Sequence, residues 1–178
     1  MMNLVWLRSD LRIYDNPALF NAMAQGATIA VYCLSNKQWD QHGLAPIKRR
    51  LIVDHLIELE EQLSQLNVPL IVLDCDVFSN VPEQLKALCA EQSITHLYYN
   101  HEYEVNEQRC TQEAVRELAS LKIEAKGYHD QCIVPPGAVR NGSGECYKVF
   151  SAFAKNWMAN ITTLARPLYS KPVAQQTI

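Results

Sequence analysis

The densest run of chemically capable side chains follows an apolar segment, Ile94 to Tyr99, and reads Asn100, His101, Glu102, Tyr103, Glu104, Val105, Asn106, Glu107. Carboxylates accept hydrogen bonds and amides both donate and accept, so such a loop can grip a polar ligand. Acidic residues are equally at home in the first turn of a helix, whose unpaired N–H groups carry partial positive charge. Elsewhere the chemistry is thin. His42, in the run Gln38 to His42, is a lone loop histidine, and Trp39 beside it has the character of a surface-packing aromatic. His129 and Cys132 offer two ligands where zinc takes four, so no metal is expected. Asp74 and Asp76 stand as strand-end polar residues, and no serine, histidine and acid set carries a nucleophile motif, so no autonomous catalytic residues are expected. Neither Gly-x-Gly-x-x-Gly nor Gly-x-x-x-x-Gly-Lys occurs at a strand-to-helix turn, which removes support for dinucleotide and phosphate-cradling sites.

The elements that position these residues alternate. Leu4 to Leu7 is an apolar run that stops at Arg8, and Asn16 before Pro17 suits a helix start, with Asn16 as N-cap and Pro17 at N1. Thr28 to Leu34 is a second β-branched run, and a polar connection, Ser35 to Pro46, leads to a long helix patterned by Ile47, Leu51, Leu56, Leu59, Leu63 and Leu66. Asn67 and Pro69 close it. Leu70 to Leu73 is the third strand. Ser79 and Asn80 are candidate caps for a helix through Leu85, Leu88 and Cys89. Ile94 to Tyr99, a helix over Val105 to Leu121, and a strand over Ile123 to Tyr128 follow. Strands separated by single helices require crossovers, so the expectation is α/β: a doubly wound, five-stranded parallel sheet with helices on both faces. Residues 133–144 form a long turn-rich connection, and from Tyr147 a helix carries the apolar stripe Phe150, Phe153, Trp157, Ile161. Past Arg166 two prolines and few anchors read as a linker. The expected division is residues 1–130, then a connecting loop and helix over 131–165, then a linker over 166–178.

Composition sets the frame. At 178 residues roughly 70% of the unfolded surface can be buried, enough for a core without staples. The six cysteines, at 33, 75, 89, 110, 132 and 146, form no Cys-x-x-Cys pair and read as reduced thiols. The amino terminus shows neither a basic leader nor an apolar stretch long enough to span a bilayer, so a cytoplasmic protein with no membrane partner is expected. A net charge of −3 argues against nucleic acid as the main partner, and the Lys48, Arg49, Arg50 cluster reads as a solvated face.

The opening stretch, Leu4 to Leu19, closely resembles the amino-terminal signature of the DNA photolyase and cryptochrome family: Trp6, Arg8, Asp10, Leu11, Arg12, Asp15 and Asn16 match, and Leu7 replaces the usual aromatic. In the family these polar residues brace the loop after the first strand, and Arg8, Asp10 and Arg12 also fit a structural salt-bridge cluster. The loop holding Glu104, Val105, Asn106 and Glu107 is similar to the antenna loop of folate-using photolyases. The Pro135, Pro136, Gly137 turn and the Tyr147 to Trp157 helix follow in family order.

By that resemblance Asn106 and Glu107 are the principal cofactor-binding residues, placed against 5,10-methenyltetrahydrofolate, and His42 aligns with a histidine bordering the same chromophore. A carboxylate can accept from a pterin's amino and ring N–H groups, and an amide can do both. A deazaflavin or flavin antenna remains an alternative. The resemblance implies a Rossmann-like antenna domain of a cyclobutane pyrimidine dimer photolyase, a light-driven DNA repair enzyme and lyase. FAD, damaged DNA and the electron-relay tryptophans would belong to a C-terminal domain beyond this chain, so Trp6, Trp39 and Trp157 are not that relay. Alone, the chain is expected to be inactive in repair and to hold folate weakly. It is also expected to expose an apolar patch from among Phe150, Phe153, Trp157 and Met158, able to dock the FAD domain or to self-associate. A cryptochrome-like photoreceptor module and a stand-alone nucleotide-binding α/β protein are the competing functions.

Overall fold

The computed structural model describes residues 2–178. Its elements run β1 (Met2–Leu7), α1 (Pro17–Gln25), β2 (Ala27–Leu34), α2 (Asn36–Gln41), α3 (Pro46–Ser64), β3 (Leu70–Asp74), a 3-10 turn (Phe78–Asn80), α4 (Val81–Glu91), β4 (Ile94–Asn100), α5 (Val105–Ala119), β5 (Glu124–Tyr128) and α6 (Phe150–Leu164). The five strands pair in parallel in the order β3-β2-β1-β4-β5. This is the α/β sheet that the alternation of apolar runs and helical stripes predicts.

The chain divides into two compact units, one formed by residues up to Tyr128 together with Tyr169–Ile178, the other by His129–Leu168. In the sheet unit, strand side chains alternate between two apolar layers. Leu4, Trp6, Ile29, Val31, Leu97 and Tyr99 face Val81, Leu85 and Leu88 of α4 and Cys110, Ala114 and Leu118 of α5. Val5, Leu7, Ala30 and Tyr98 face Ala18, Leu19 and Ala22 of α1 and Leu59 and Leu63 of α3. Central β1 is buried on both sides, which is why its sequence is a continuous apolar run rather than an alternation. In the second unit α6 buries none of its residues, and Phe150 and Met158 are exposed while Phe153 and Trp157 are half-buried.

Three local expectations need correction. The connection after β2 contains a helix, α2, which its polar composition hides because the helix buries no residue. Asn80 does precede α4, but its side chain does not cap the helix: Nδ2 donates back to the Cys75 carbonyl at 3.0 Å. The stretch from Tyr169 onward is anchored rather than a free linker. Asp15 N–H donates to the Tyr169 carbonyl at 2.9 Å, and the Tyr169 and Phe20 rings lie 5.2 Å apart. Gln175 acts as a second latch. Its Oε1 accepts from Thr28 N–H at 2.9 Å, its Nε2 donates to the Thr28 and Asn67 carbonyls at 2.9 and 2.7 Å, and its own N–H reaches the Leu66 carbonyl at 3.1 Å. A single glutamine thus mimics a strand neighbour at the start of β2, a role that composition cannot reveal.

Each such bond is worth about 1 kcal/mol net, and Thr28 would lose partners for both its backbone groups. Gln175→Ala is therefore expected to cost about 1–2 kcal/mol in urea unfolding; an unchanged midpoint would show that the latch carries no stability.

Candidate functional site

The sheet order reverses between β1 and β4, and the loops leaving their carboxyl ends diverge there, which opens the crevice where parallel α/β sheets bind ligands. The β1 loop is held by buried amides. Asn100, the last residue of β4, donates from Nδ2 to Asp10 Oδ2 at 2.6 Å and to Asn16 Oδ1 at 2.9 Å, and its Oδ1 accepts from Ala18 N–H at 3.2 Å. Asn16 also caps α1, accepting from Leu19 N–H at 3.1 Å, while Asp10 Oδ1 accepts from Arg8 N–H at 2.7 Å. All three side chains are buried. The carboxylate of Asp10 is thus satisfied by amides and backbone, and the Arg8 guanidinium turns elsewhere.

That guanidinium lies 4.6 Å from the Trp6 ring centre and 5.7 Å from that of Tyr99, a stacked cation–π arrangement. Its Nη1 donates to Thr111 Oγ1 at 2.7 Å and stands 3.5 Å from Glu102 Oε2, and Nη2 bonds the Asn100 carbonyl. Arg8 and Glu102 form one wall of a cavity of about 630 Å³. Trp6 and Tyr32 line it from the strands, Trp39 from α2, and Glu107 from the first turn of α5. Two donors buried behind this wall, Trp6 Nε1 and Arg8 Nε, have no hydrogen-bond partner among the described residues. Burial raises the Glu102 carboxyl above its ordinary range, opposed by the positive charge of Arg8 and by the Ser9 N–H bond. Burial likewise raises the Tyr32 phenol, reinforced by the nearby Glu102 charge.

The three residues expected to bind a cofactor do not all converge. Glu107 lines the cavity. His42 borders it at an exposed position just past α2, with Nε2 2.8 Å from Gln38 Nε2. Asn106 is exposed and absent from that lining; it lines an adjoining recess of about 160 Å³ that shares Gln38, Phe78 and Cys110 with the cavity. One helical step of about 100° separates it from Glu107, enough to turn neighbouring side chains to different surfaces. Glu102, Arg8 and Trp39 are the cavity residues that sequence reasoning passed over. Glu102 stands in the same polar loop, and the sequence marks Arg8 only as a bracing residue. Two of the three residues of the basic cluster on α3 are paired, Arg49 with Asp40 and Arg50 with Asp54 at 2.8 Å. Among the described residues no group of three His, Cys, Asp or Glu side chains is arranged to hold a metal, and no helix is long and apolar enough to cross a membrane.

Two outcomes test this geometry. Asn16→Ala removes a cap and leaves Asn100 and Asp10 short of partners, so it is expected to cost about 2–4 kcal/mol in urea unfolding, more than a cap alone. The raised carboxyl of Glu102 means the folded protein keeps a proton that the unfolded chain releases near pH 4.5. Its stabilising contribution is full below that pH and declines as pH rises through the interval above it. Glu102→Gln should flatten that decline in a pH series of unfolding midpoints; parallel curves for the two proteins would refute the assignment.

The sequence matches the family model described as DNA photolyase over residues 3–173. It is 39% identical over 161 residues to the deoxyribodipyrimidine photo-lyase of Escherichia coli, covering 89% of this chain and 34% of that one. It is 38% identical over 176 residues to the enzyme of the same name from Vibrio cholerae, covering 97% and 37%. In fold it is similar to the Synechocystis cryptochrome crystal structure, with a TM-score of 0.82 at 24% identity over 96% of this chain and 36% of that one. The chain thus spans only 34% and 37% of the two photo-lyases it matches. A family match running almost end to end, on a parallel sheet whose first loop is braced by Asp10, Asn16 and Asn100, shows that this chain belongs to the DNA photolyase family as its amino-terminal α/β domain.

Proposed function

We propose that this domain is the light-harvesting part of a deoxyribodipyrimidine photolyase and that the cavity above β1 and β4 holds its antenna chromophore. The observation that carries this reading is the chemistry of the cavity wall: two carboxylates, Glu102 and Glu107, line one space together with the Arg8 side chain and the aromatic rings of Trp6, Tyr32 and Trp39. Carboxylate acceptors beside aromatic faces suit a flat polar heterocycle, which can donate to the first and pack against the second.

The donor and acceptor set fits 5,10-methenyltetrahydrofolate. When bound, that group would absorb light and pass excitation energy onward to a reduced FAD. Glu107 would accept from the amino and ring N–H groups of its pterin, a charge-assisted contact. Glu102, fixed by Arg8 and by the Ser9 N–H at 3.3 Å, would accept a second pair. Trp39 and Leu44 would shield the ring from water, and His42 would sit at the rim. The position of Asn106 outside the cavity favours a second reading in which the occupant is a flavin-type or deazaflavin ring, which needs Glu102 and Arg8 more than the Asn106 amide. On either reading, repair chemistry on DNA belongs to a flavin domain elsewhere in the full protein. The exposed Phe150 and Met158 of α6 offer an apolar surface for that domain or for self-association.

Fluorescence titration with methenyltetrahydrofolate, with riboflavin as competitor, tests the site. Saturable binding is expected, weakened about tenfold or more by Glu107→Ala, since a hydrogen bond to a charged group contributes roughly 1.5–3 kcal/mol. Asn106→Ala is expected to change it by less than about threefold. A loss with Asn106→Ala but none with Glu107→Ala would move the site out of the cavity. Binding of riboflavin in place of the folate would establish the second reading, and no saturable binding of either would overturn a site complete within this chain.

A further inference from the structure

Cys33 and Cys75 come together at the carboxyl end of the sheet. Cys33 lies in β2 and is paired with Leu73 of β3, and Cys75 follows two residues later. Because side chains alternate with a period of two, Cys75 projects to the same face as Leu73 and hence as Cys33. The strand pairing persists there, since Cys75 N–H donates to the Leu34 carbonyl at 2.8 Å. Both sulfurs belong to one apolar cluster, and each thiol shifts the other's titration. Immediately beyond, the chain leaves the sheet: Asp76 has a left-handed φ of 62° and Val77 N–H turns back to the Cys75 carbonyl at 2.6 Å. Cys75 can therefore shift at a strand end without breaking the ladder behind it.

We propose that Cys33 and Cys75 are a redox-active pair that closes to a disulfide when the protein meets hydrogen peroxide, a modification site that goes beyond the antenna reading and does not depend on it. Cys33 lines the cavity together with Cys110, and Cys75 lies behind it, 1% exposed, so a water-sized oxidant in the cavity reaches Cys75 past Cys33 when the strand end shifts. The roles of the two sulfurs differ. The Cys33 thiol draws the Cys75 thiol below its ordinary value against the effect of burial, whereas Cys33 is raised by Cys75 and by burial. Cys75 is the sulfur that forms thiolate and attacks.

The thiolate of Cys75 takes the terminal oxygen of the peroxide, breaking the O–O bond, and becomes a sulfenic acid while hydroxide leaves. Hydroxide accepts the proton of Cys33 and becomes water. The Cys33 sulfur then attacks the Cys75 sulfur, expelling a second hydroxide that takes up the proton first lost by Cys75. Two thiols and one peroxide give one disulfide and two waters; the sulfurs together lose two electrons and the peroxide gains them. The bond would join edge strand β3 covalently to β2 beside the cavity, and a dithiol reductant would reverse it.

The test is peptide mapping of the purified, reduced chain after treatment with hydrogen peroxide and alkylation under denaturing conditions. The expected result is a Cys33–Cys75 linked peptide lighter by two hydrogens than its parts, a more than tenfold fall in alkylation at both residues, and full recovery with dithiothreitol. The same product is expected from a Cys132→Ser, Cys146→Ser protein, which lacks the thiols of the second unit. In Cys33→Ser, Cys75 should instead accumulate sulfenic acid that dimedone labels. Oxidation confined to Cys146 or Cys132, a cross-link through Cys110, or full alkylation of Cys33 and Cys75 after peroxide would each overturn the proposal. The wild-type map decides the matter even if a variant fails to fold.

Discussion

The contact on which the most else depends is the amide of Asn100 against the carboxylate of Asp10 and the amide oxygen of Asn16. It joins the last residue of β4 to the loop after β1 and to the cap of α1, across the point where the sheet order reverses. Buried and fully hydrogen-bonded, such a network stabilises only one loop conformation, because any other would leave a buried charge or amide unpaired. With the β1 loop held there, Arg8 has one place to go. Its guanidinium is pressed over Trp6 and Tyr99 and reaches Thr111 of α5.

From that position Arg8 governs the electrostatics of the cavity. Without it the Glu102 carboxyl would be buried with little beyond the Ser9 N–H to stabilise its charge; with it, the carboxyl is still pushed upward but keeps a partner. A site of this kind can present carboxylate acceptors to a ligand from a largely buried wall. Gly127 shows how tightly the neighbouring layer is packed: a Cβ there would lie 2.6 Å from the His101 ring and 2.7 Å from Tyr99. His101 in turn donates its N–H to the Tyr128 carbonyl at 2.7 Å, which ties the start of the β4 loop to β5.

Much of the fold was legible because it follows from local rules. The double burial of β1 shows as Leu4 to Leu7 without a polar break, the start of α1 as Asn16 before Pro17, and the crossovers as alternation of short apolar runs with helical stripes. What local rules do not reveal depends on partners distant in sequence. Gln175 looks like any polar tail residue until Thr28 and Asn67 are beside it, 147 and 108 positions away. Helix α2 has no buried face and so no periodic signature. Arg8 reads as a charge in a charged turn, and only the aromatic faces of Trp6 and Tyr99 give it a second role.

The site divides along the same line. The residue types that could bind a polar ring, and their concentration after β4, were determined by the sequence alone, because strand, loop and helix start are each encoded within a few residues. Which of them face a common space was decided by tertiary structure. Glu107 lines the cavity and Asn106 the recess beside it, although they are adjacent, because the packing of Cys110, Ala114 and Leu118 against the sheet fixes the rotation of α5 about its axis. Cys33 and Cys75 stand 42 positions apart and meet only because β2 and β3 pair in one register. Local sequence sets which groups are available; the register of strands and the rotation of helices, both fixed by burial, set which of them can act together.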